Sequence, residues 1–420
     1  MKILLYSLNF APELTGIGKY SGEMANWLAG HGHEVHVVCA VPYYPEWRVH
    51  AGFGGWRWQR RIEPQAGGGS VTVVRCPLWV PARPSGAKRL LHLLSFALTS
   101  LPPLLRGLAG ADLVFVVAPA LLVAPQALLL ARLSGRSTWL HMQDFEVDAA
   151  LGLGLVRGGW VGRLARRVEA MLLARFDRVS SISGAMCARL AEKGVPHECI
   201  SLLPNWVDLK AITPQQGPNG VRAELGIGSE TTLLLYAGNM GEKQGLDVVL
   251  DAARLLKDAP GLKFLMVGTG AALDRLQAHA HALGLDQMVW WPLQPVQRLS
   301  ELLNAADIHL LPQRADAADL VMPSKLGGML ASGRMVIGTA RADTELGRVL
   351  DRTGVRVDPG QPALLAEAIV RYAADPQARN LLGSAGRKHA EDKLDIDPVM
   401  SLFVQQATAL QPQPVTQPQR

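Results

Sequence analysis

Cysteines, aromatic residues and unbroken apolar runs are scarce in this chain of 420 residues. The four cysteines, which form no CxxC pair and no metal-ligand spacing, are Cys39, Cys76, Cys187 and Cys199. This spacing argues against cysteine-based zinc sites and favours free thiols in a reducing compartment. The N-terminal apolar run ILLYSL is too short for a secretory signal, because Asn9, Pro12 and Glu13 follow it closely. We therefore expect a cytoplasmic location.

One apolar stretch, residues 113–131, approaches the roughly 20 residues that a transmembrane helix needs. Pro119 and Pro125 interrupt it, and Asp112 lies at its start. The pattern predicts a buried strand up to about Ala118, then a turn and a buried helix, in place of a membrane span.

Charge is distributed unevenly along the chain. Residues 1–206 contain 21 Lys and Arg against 13 Asp and Glu, whereas residues 207–420 contain 21 against 23, giving net charges of +8 and −2. Two apolar segments with basic residues, 86–105 and 155–176, are typical of helices at an anionic membrane surface. Core-packing helices with solvated arginines are the alternative. We expect peripheral binding at the inner membrane face and no nucleic-acid partner.

Each half alternates short apolar runs with segments of helical period, which is typical of parallel sheets with crossover helices. The predicted strands are KILLYSL, EVHVVC, VTVVR, DLVFVVA, STWLHM and RVSSIS, then TTLLLYA, LKFLMV, MVWW, DIHLL, MVIG and VRV. The predicted helices include 21–29, 164–175, 246–256, 272–282 and 364–372. The fold class predicted is α/β, with two Rossmann-like, doubly wound domains facing across a cleft.

The boundaries of these domains follow from composition. Residues 1–207 form the first predicted domain and residues 231–395 the second. Between them, 208–230 is rich in Pro and Gly and is predicted to be a linker with a short helix. A C-terminal helix and a disordered Gln- and Pro-rich tail are predicted for 396–420.

The first glycine motif is GIGKYSG, residues 16–22, after the first strand. Glycines allow a backbone to approach a ligand, and a helix N-terminus favours anions. The spacing GxGxxxG is not the dinucleotide fingerprint, and no acidic residue ends the second strand. A nicotinamide enzyme is therefore not expected. A tight turn that binds nothing is the alternative reading.

Two motifs in the second half suit a diphosphate. In YAGNMGEKQGLDVVLDAA, residues 236–253, a strand ends in a glycine-rich loop that carries Lys243. In VMPSKLGGMLASG, residues 321–333, Ser324 and Lys325 lie in the predicted first turn of a helix. Gly327 and Gly328 inside that helix cost roughly 1 kcal/mol each, which suggests close approach by a ligand or another helix.

Six motifs stand in order across residues 1–400: GHEVHVV, SSISGAM, LLPNWVD, YAGNMGEKQGL, FLMVGTGAALDRL and PSK…LASG. Together they resemble the retaining GT-B glycosyltransferases. The opening MKILLYSLNFAPELTGIGKYSGEMANWLAGHGHEVHVV and the segment HMQDFEVDAALGLG resemble the branch that builds colanic acid and related exopolysaccharides. In that branch the usual donor is a fucosyl nucleotide, so the resemblance implies GDP-fucose.

The resemblance implies a nucleotide site in the second domain and an acceptor site in the first. Gly268 and the segment WWPLQ would border the base. The groups expected around the diphosphate are Asn239, Gly241, Lys243, Gln244, Ser324 and Lys325. Gly16 and Gly18 would approach the donor from the first domain. Asp144, with Glu146 and Asp148, would face the transferred sugar or the acceptor hydroxyl.

The sequence departs from the family pattern at several positions. Many members place an Arg and a Lys where this chain has Asn239 and Gln244. A Glu-x7-Glu pair, whose later Glu binds ribose, is replaced here by Leu320 and Gly328. The nearby acidic residues that could substitute are Asp316, Asp319 and Glu345.

Glycosyl transfer develops charge on the leaving diphosphate, so cations aimed at that group would be the main catalytic term. Lys325 and Lys243 are the candidates. The resemblance implies retention of configuration without a metal or cofactor, with the leaving phosphate or Asp144 taking the acceptor proton. The acceptor implied is a polyprenyl-diphosphate-linked oligosaccharide. A nucleotide-sugar epimerase of the same fold and a non-catalytic nucleotide-sugar-binding protein are the alternatives.

Overall fold

The structure, a computed structural model, describes residues 1–13, 16–64, 67–83, 85–118, 122–148, 159–314 and 322–411. The chain divides into two compact units. Unit 1 comprises Met1–Pro204 together with the C-terminal residues from Asp397, and unit 2 comprises Asn205–Ile396. Both units are α/β, as the sequence predicts.

The sheet of unit 1 has eight strands in the order β3-β4-β2-β1-β5-β6-β7-β8. The strands are β1 Lys2–Ser7, β2 Glu34–Ala40, β3 Gln59–Pro64, β4 Ser70–Cys76, β5 Leu113–Ala118, β6 Ser137–Met142, β7 Arg178–Ser181 and β8 Ile200–Leu202. All pairings are parallel except that of β3 with β4. Every residue of β5 is buried, because central parallel strands are covered on both faces.

Helices connect the parallel strands of unit 1. They are α1 Gly16–Gly30, α2 Gly86–Leu108, α3 Ala124–Leu133, α4 Trp160–Leu173 and α5 Gly184–Glu192. The predicted strand, turn and helix over 113–131 are confirmed by β5 and α3. No described helix is both long and apolar enough to cross a membrane.

The sheet of unit 2 has six parallel strands in the order β11-β10-β9-β12-β13-β14. They are β9 Thr232–Ala237, β10 Leu262–Val267, β11 Met288–Trp291, β12 Ile308–Leu311, β13 Met335–Thr339 and β14 Val355–Val357. The order reverses between β9 and β12, as it does between β1 and β5 in unit 1. Such a switch point leaves a crevice at the carboxyl ends of the strands, where ligands bind in doubly wound folds.

The helices of unit 2 pack around this sheet. They are α6 Gly220–Glu224, α7 Asp247–Leu255, α8 Leu273–Ala282, α9 Leu299–Ala305, α10 Lys325–Ala331, α11 Glu345–Thr353, α12 Pro362–Ala373 and α13 Pro376–Lys393. Two larger clusters of buried side chains pack between the helices and the two faces of the sheet. The strand ends at the switch point are thereby fixed to a packed core.

Two boundaries differ from the predicted ones. The segment 208–230 packs into unit 2, where Val221 is fully buried and Arg222 pairs with Asp307 at 2.9 Å. The C-terminal helix α14, Ile396–Ala409, packs into unit 1, where the Phe403 ring lies 4.8 Å from that of Trp139. Both segments carry apolar residues that need a covering surface, which composition alone does not reveal.

Candidate functional site

The carboxyl edge of the unit 2 sheet is built from interlocked glycine loops. Gly238 donates to Val267 O at 2.9 Å, and Gly268 donates to Trp291 O at 3.0 Å. Gly268 has φ +147°, and a Cβ there would lie 1.9 Å from Gly238 O. The predicted base-bordering glycine therefore lies at this edge, and the backbone of the chain itself already requires a glycine there.

Lys325 projects over the loop that follows β9. Its Nζ donates to Tyr236 Oη at 2.8 Å and lies 3.9 Å from the centroid of that ring. A Cβ added at Gly238 would lie 3.3 Å from the same Nζ. Within the described ranges no carboxylate forms an ion pair with Lys325. Removal from water lowers the pKa of this ammonium group to about 7.

An ammonium group without a carboxylate partner at a glycine-rich loop can bind an anion. Lys325 of the PSK motif and Tyr236 of β9 are 89 residues apart in sequence, and the fold brings them together beside the loop that follows β9. The predicted anion site thus has its cation and its glycine loop in one place. The contact of Tyr236 with Lys325 was not predicted, because a tyrosine in an apolar strand is usually a core residue.

The loop between Gly238 and Gly245 contains the other predicted diphosphate ligands of unit 2. Asn239 is exposed at its tip. Gln244 Oε1 accepts a hydrogen bond from Gly241 N at 3.1 Å, so this side chain closes the loop instead of pointing to a ligand. For Gln244, only the backbone stays a predicted neighbour of the diphosphate. The side chain of Lys243 lies outside the described residues.

A further cation at this edge was missed. Arg314 follows β12, and its Cγ would lie 2.9 Å from a Cβ on Gly245. Arg314 is exposed. Many family members supply an arginine from the loop after β9, where this chain has Asn239. The sequence could have indicated Arg314, because it closely follows the predicted strand DIHLL in the segment DIHLLPQR.

The remaining residues that were considered for donor binding differ in where they lie. Ser324 immediately precedes α10 and is exposed, and Glu345 begins α11 after β13, at the same edge. Asp319 lies outside the described residues. A Cβ on Gly328 would lie 3.3 Å from Leu303 Cδ1 and 3.7 Å from Ile212 Cδ1. A side chain at position 328 would therefore enter the core, so the close approach inferred from the glycines is made by the protein and not by a ligand.

In unit 1 the loop after β1 is organised by a buried carboxylate. Glu13 accepts hydrogen bonds from the N–H groups of Tyr43 and Tyr44, both at 2.9 Å, and from Asn9 Nδ2 at 2.8 Å. Burial raises its pKa in spite of these bonds. This role of Glu13 was not predicted, because in the sequence it is one acidic residue that follows the first apolar run.

Glu13 also explains one of the predicted donor glycines. A Cβ on Gly18 would lie 2.7 Å from Glu13 Cβ, so Gly18 leaves room for the loop and not for a ligand. Gly16 has φ +57°, and a Cβ there would meet no atom within 4 Å. Of the two glycines predicted to approach the donor, only Gly16 lies beside open space.

Asp144 and Glu146 follow β6 and are close to the same tyrosines. Burial raises the pKa of Tyr44, and the negative charges of Asp144 and Glu13 raise it further. Glu146 acts in the same direction on the pKa of Tyr43. The carboxyl edge of unit 1 therefore gathers carboxylates around tyrosines.

Asp148 does not belong to this group. Its carboxylate pairs with Lys193 Nζ at 3.0 Å, and the same ammonium group pairs with Glu169 at 2.5 Å. Glu169 is 1% exposed. Arg189, which is exposed, also pairs with Asp148 at 3.4 Å. The carboxylate of Asp148 is therefore already engaged by two cations, which argues against the prediction that it faces a sugar.

Two family models match the chain in succession. The glycosyl transferase 4-like domain matches residues 15–206, and the glycosyl transferases group 1 model matches residues 220–389. The two matches fall on units 1 and 2.

Curated relatives extend this result. The colanic acid biosynthesis glycosyl transferase WcaI, so named in Escherichia coli (strain K12), is 43% identical over 413 residues, which cover 96% of this chain and 99% of that protein. A D-inositol 3-phosphate glycosyltransferase of Segniliparus rotundus is 27% identical over 61% of this chain and 60% of its own length.

Solved structures are similar in fold at low identity. A sucrose-phosphate synthase from Thermosynechococcus elongatus superimposes with a TM-score of 0.73 at 18% identity, covering 97% of this chain and 98% of that one. Anabaena Alr3699/HepE, solved in complex with UDP and glucose, gives a TM-score of 0.69 at 14% identity, covering 97% and 100%.

Proposed function

Because this chain belongs to the GT-B glycosyltransferases, we propose that it transfers a sugar, with retention of configuration, from a nucleotide-sugar donor to a lipid-linked exopolysaccharide repeat unit. The polymer is colanic acid or a related exopolysaccharide, on the strength of the 43% identity to WcaI. The observation that carries the proposal is the ammonium group of Lys325 beside the glycine loop of unit 2.

In this proposal unit 2 binds the diphosphate of the donor. Lys325 and the N–H groups of the glycine loop stabilise the negative charge that develops as the anomeric C–O bond breaks. Arg314 supplies a second positive charge at the same loop. Fixed donors in a partly dry site act more strongly than in water, and they need no reorganisation during the reaction.

Unit 1 binds the acceptor. Its edge carries the carboxylates of Asp144, near Tyr44, and Glu146, near Tyr43, and carboxylates suit the hydroxyl groups of a sugar as hydrogen-bond partners. Asp144 or the leaving phosphate accepts the acceptor proton. Glu13 shapes the loop but is already engaged by three donors.

The donor is GDP-linked, and GDP-fucose is our choice, on the resemblance of the N-terminal motifs to the colanic acid branch. HepE, at 14% identity, holds UDP, so the two bases are the alternatives to compare. Calorimetry should give a lower Kd for GDP than for UDP. Tighter binding of UDP would overturn the choice of donor and leave the transferase assignment intact.

The transferase assignment itself is tested by acceptor-dependent release of nucleotide. Purified protein is incubated with GDP-fucose and with a short prenyl-diphosphate oligosaccharide, and free GDP is measured. Release that requires the acceptor supports transfer. Conversion of the donor sugar without acceptor would indicate an epimerase, and binding without either reaction would indicate a non-catalytic protein.

Two outward faces of unit 1 support binding at an anionic membrane. On α2 the exposed residues Leu90, Leu94, Leu98, Leu101 and Leu105 recur every three or four positions, so they form one apolar stripe. Monomeric soluble domains rarely expose such a continuous apolar face.

The second face lies on α4. Trp160, Leu164, Val168 and Met171 are exposed along one stripe, and the only carboxylate of this helix, Glu169, is buried. Three exposed arginines flank the stripe: Arg163, Arg166 and Arg167. Apolar residues beside positive charge, with no exposed carboxylate, are complementary to an anionic lipid surface. We propose that both helices contact the membrane that holds the lipid-linked acceptor.

Sedimentation with phosphatidylglycerol-containing vesicles tests this contact. Wild type should pellet with vesicles, and the triple change of Arg163, Arg166 and Arg167 to Gln should weaken binding most at low salt. The matched control changes three exposed arginines of unit 2, Arg254, Arg352 and Arg371. Replacing Leu98 and Leu105 with Gln should weaken binding at all salt concentrations. If wild type stays in the supernatant at low salt, a soluble acceptor is the better assignment.

A further inference from the structure

One buried phenol connects the two diphosphate-binding elements of unit 2. Tyr236 lies on β9 and is fully buried. Its Oη accepts a hydrogen bond from Lys325 Nζ at 2.8 Å and donates to Asn239 O at 2.5 Å. The ring also lies beneath the ammonium group, 3.9 Å from Nζ to the centroid. A single side chain thus touches the PSK lysine and the backbone of the glycine loop.

We propose that Tyr236 is a positioning residue that holds Lys325 and the loop at Asn239 in the arrangement that receives the donor diphosphate. This inference rests on the proposed function, since it requires that Lys325 binds a phosphate. Nothing in the sequence marks Tyr236 for such a role, because a tyrosine near the end of a buried strand is an ordinary core residue.

A phenol suits this task better than a carboxylate would. A carboxylate at 2.8 Å would neutralise the lysine and compete with the phosphate. A neutral hydroxyl fixes the position of Nζ and leaves its positive charge and its two other N–H donors available. Burial raises the pKa of Tyr236, so the hydroxyl keeps its proton and can donate to Asn239 O.

Unit 1 supplies a matched control at the equivalent position. Tyr6 is the fifth residue of β1, as Tyr236 is of β9, and it is also fully buried. Its Oη bonds to Ser100 Oγ at 2.6 Å and accepts from Gln126 Nε2 at 2.5 Å, so its partners are neutral. Loss of either hydroxyl removes buried hydrogen bonds, but only that of Tyr236 releases a cation.

The experiment is a double-mutant cycle with Tyr236→Phe and Lys325→Met, read out by calorimetry. The probes are GDP and UDP, each compared with its nucleoside, guanosine or uridine, which lacks the diphosphate. Tyr236→Phe keeps the ring under the ammonium group and removes both hydrogen bonds. We expect about a tenfold higher Kd for the nucleoside diphosphate, as for loss of one to two ordinary hydrogen bonds. The Kd of the nucleoside should stay the same.

The double variant should lose less affinity than the product of the two single losses, because one of the two hydrogen bonds of Tyr236 acts through that lysine. Multiplicative losses, an equal loss for the nucleoside, or no loss in Tyr236→Phe would each overturn the inference. Tyr6→Phe, with a comparable loss of hydrogen bonds, should leave both Kd values unchanged. If wild type binds no nucleoside diphosphate, the proposed function fails together with the inference. If Lys325→Met weakens binding and Tyr236→Phe does not, only the inference fails.

Discussion

The carboxyl edges of the two sheets have opposite local charge, although both sheets reverse their strand order beside their first parallel strand. In unit 2 the loop after the first strand lies against Lys325. In unit 1 the corresponding loop contains buried Glu13 and lies near Asp144. The net charges of the two halves run the other way, since residues 1–206 carry +8 and residues 207–420 carry −2. The net charge of each half is therefore set by residues away from these edges, whereas the class of ligand follows from a few residues at the strand ends.

Two lysines sharpen this contrast. Lys193 in unit 1 and Lys325 in unit 2 are both largely removed from water. Lys193 pairs with two carboxylates, whereas Lys325 has a phenol as its partner. A lysine whose charge is already compensated stabilises the fold, and one without a carboxylate in the described structure is available to a ligand.

The largest expected effect is on the stability of unit 1. Lys193→Met leaves the buried Glu169 without its cation and Asp148 with only the exposed guanidinium of Arg189. Loss of a buried ion pair costs about 3–5 kcal/mol. Urea and thermal unfolding of the full chain measure the loss. Lys325→Met is the control and should not lower the unfolding midpoint, because it removes a largely desolvated charge for which the described residues supply no carboxylate. Equal destabilisation by both changes would contradict the division into a structural and a ligand-binding lysine.

The next largest expected effect is that of Lys325→Met on the turnover of the donor. Loss of a charged hydrogen-bond donor costs about 1.5–3 kcal/mol, or at least tenfold in turnover with GDP-fucose. The effect should reach kcat as well as KM, since the developing charge on the leaving group is also lost. Arg254→Met, an exposed residue of the same unit, is the control. Turnover at the wild-type rate in Lys325→Met would remove the main support for the diphosphate site.

A smaller effect is expected from pH on the affinity for the nucleoside diphosphate. The pKa of Lys325 is lowered to about 7, so the ammonium form is complete only below that pH. Above it, binding a phosphate requires uptake of a proton, and affinity for the nucleoside diphosphate should fall by at most tenfold per pH unit. The phosphate itself titrates in this range. The measured quantity is therefore the difference in affinity for the nucleoside diphosphate between wild type and Lys325→Met, from pH 6 to 8.5. A constant difference would show that the lysine keeps its charge throughout this range.

Much of this architecture is predictable from the sequence. The strands of both sheets are apolar runs such as LVFVVA, which bury both faces and need no context to be found. The strand β3 was missed because its sequence, QRRIEP, lies on an antiparallel edge and is largely polar. The strand β8, Ile200–Leu202, was also missed.

The site is less predictable, because the role of a side chain depends on partners that are distant in sequence. Asp148 resembles Asp144 until Lys193 is placed beside it. Gly328 resembles a ligand-facing glycine until Leu303 is found opposite. Tyr236 contacts a lysine 89 residues away. The motifs place their candidate residues at one sheet edge, but tertiary contacts decide which of these residues are available to a ligand.

The smallest effect concerns Glu13 and the stability of unit 1. Its pKa is raised by burial, so the folded chain holds this proton at pH values where the unfolded chain, with a carboxyl pKa near 4.5, has released it. Folded stability therefore falls as pH rises through the window above 4.5, and the loss is complete above the raised pKa. Glu13→Gln cannot titrate and keeps an oxygen for the N–H groups of Tyr43 and Tyr44. The stability of wild type relative to this variant should decline with rising pH, within about 1 kcal/mol, as is usual for a single substitution. Thermal unfolding of both proteins from pH 4 to 8 measures the difference. A relative stability that rises with pH would mean that the hydrogen bonds outweigh burial, and that the acidic edge of unit 1 favours the ionised carboxylate.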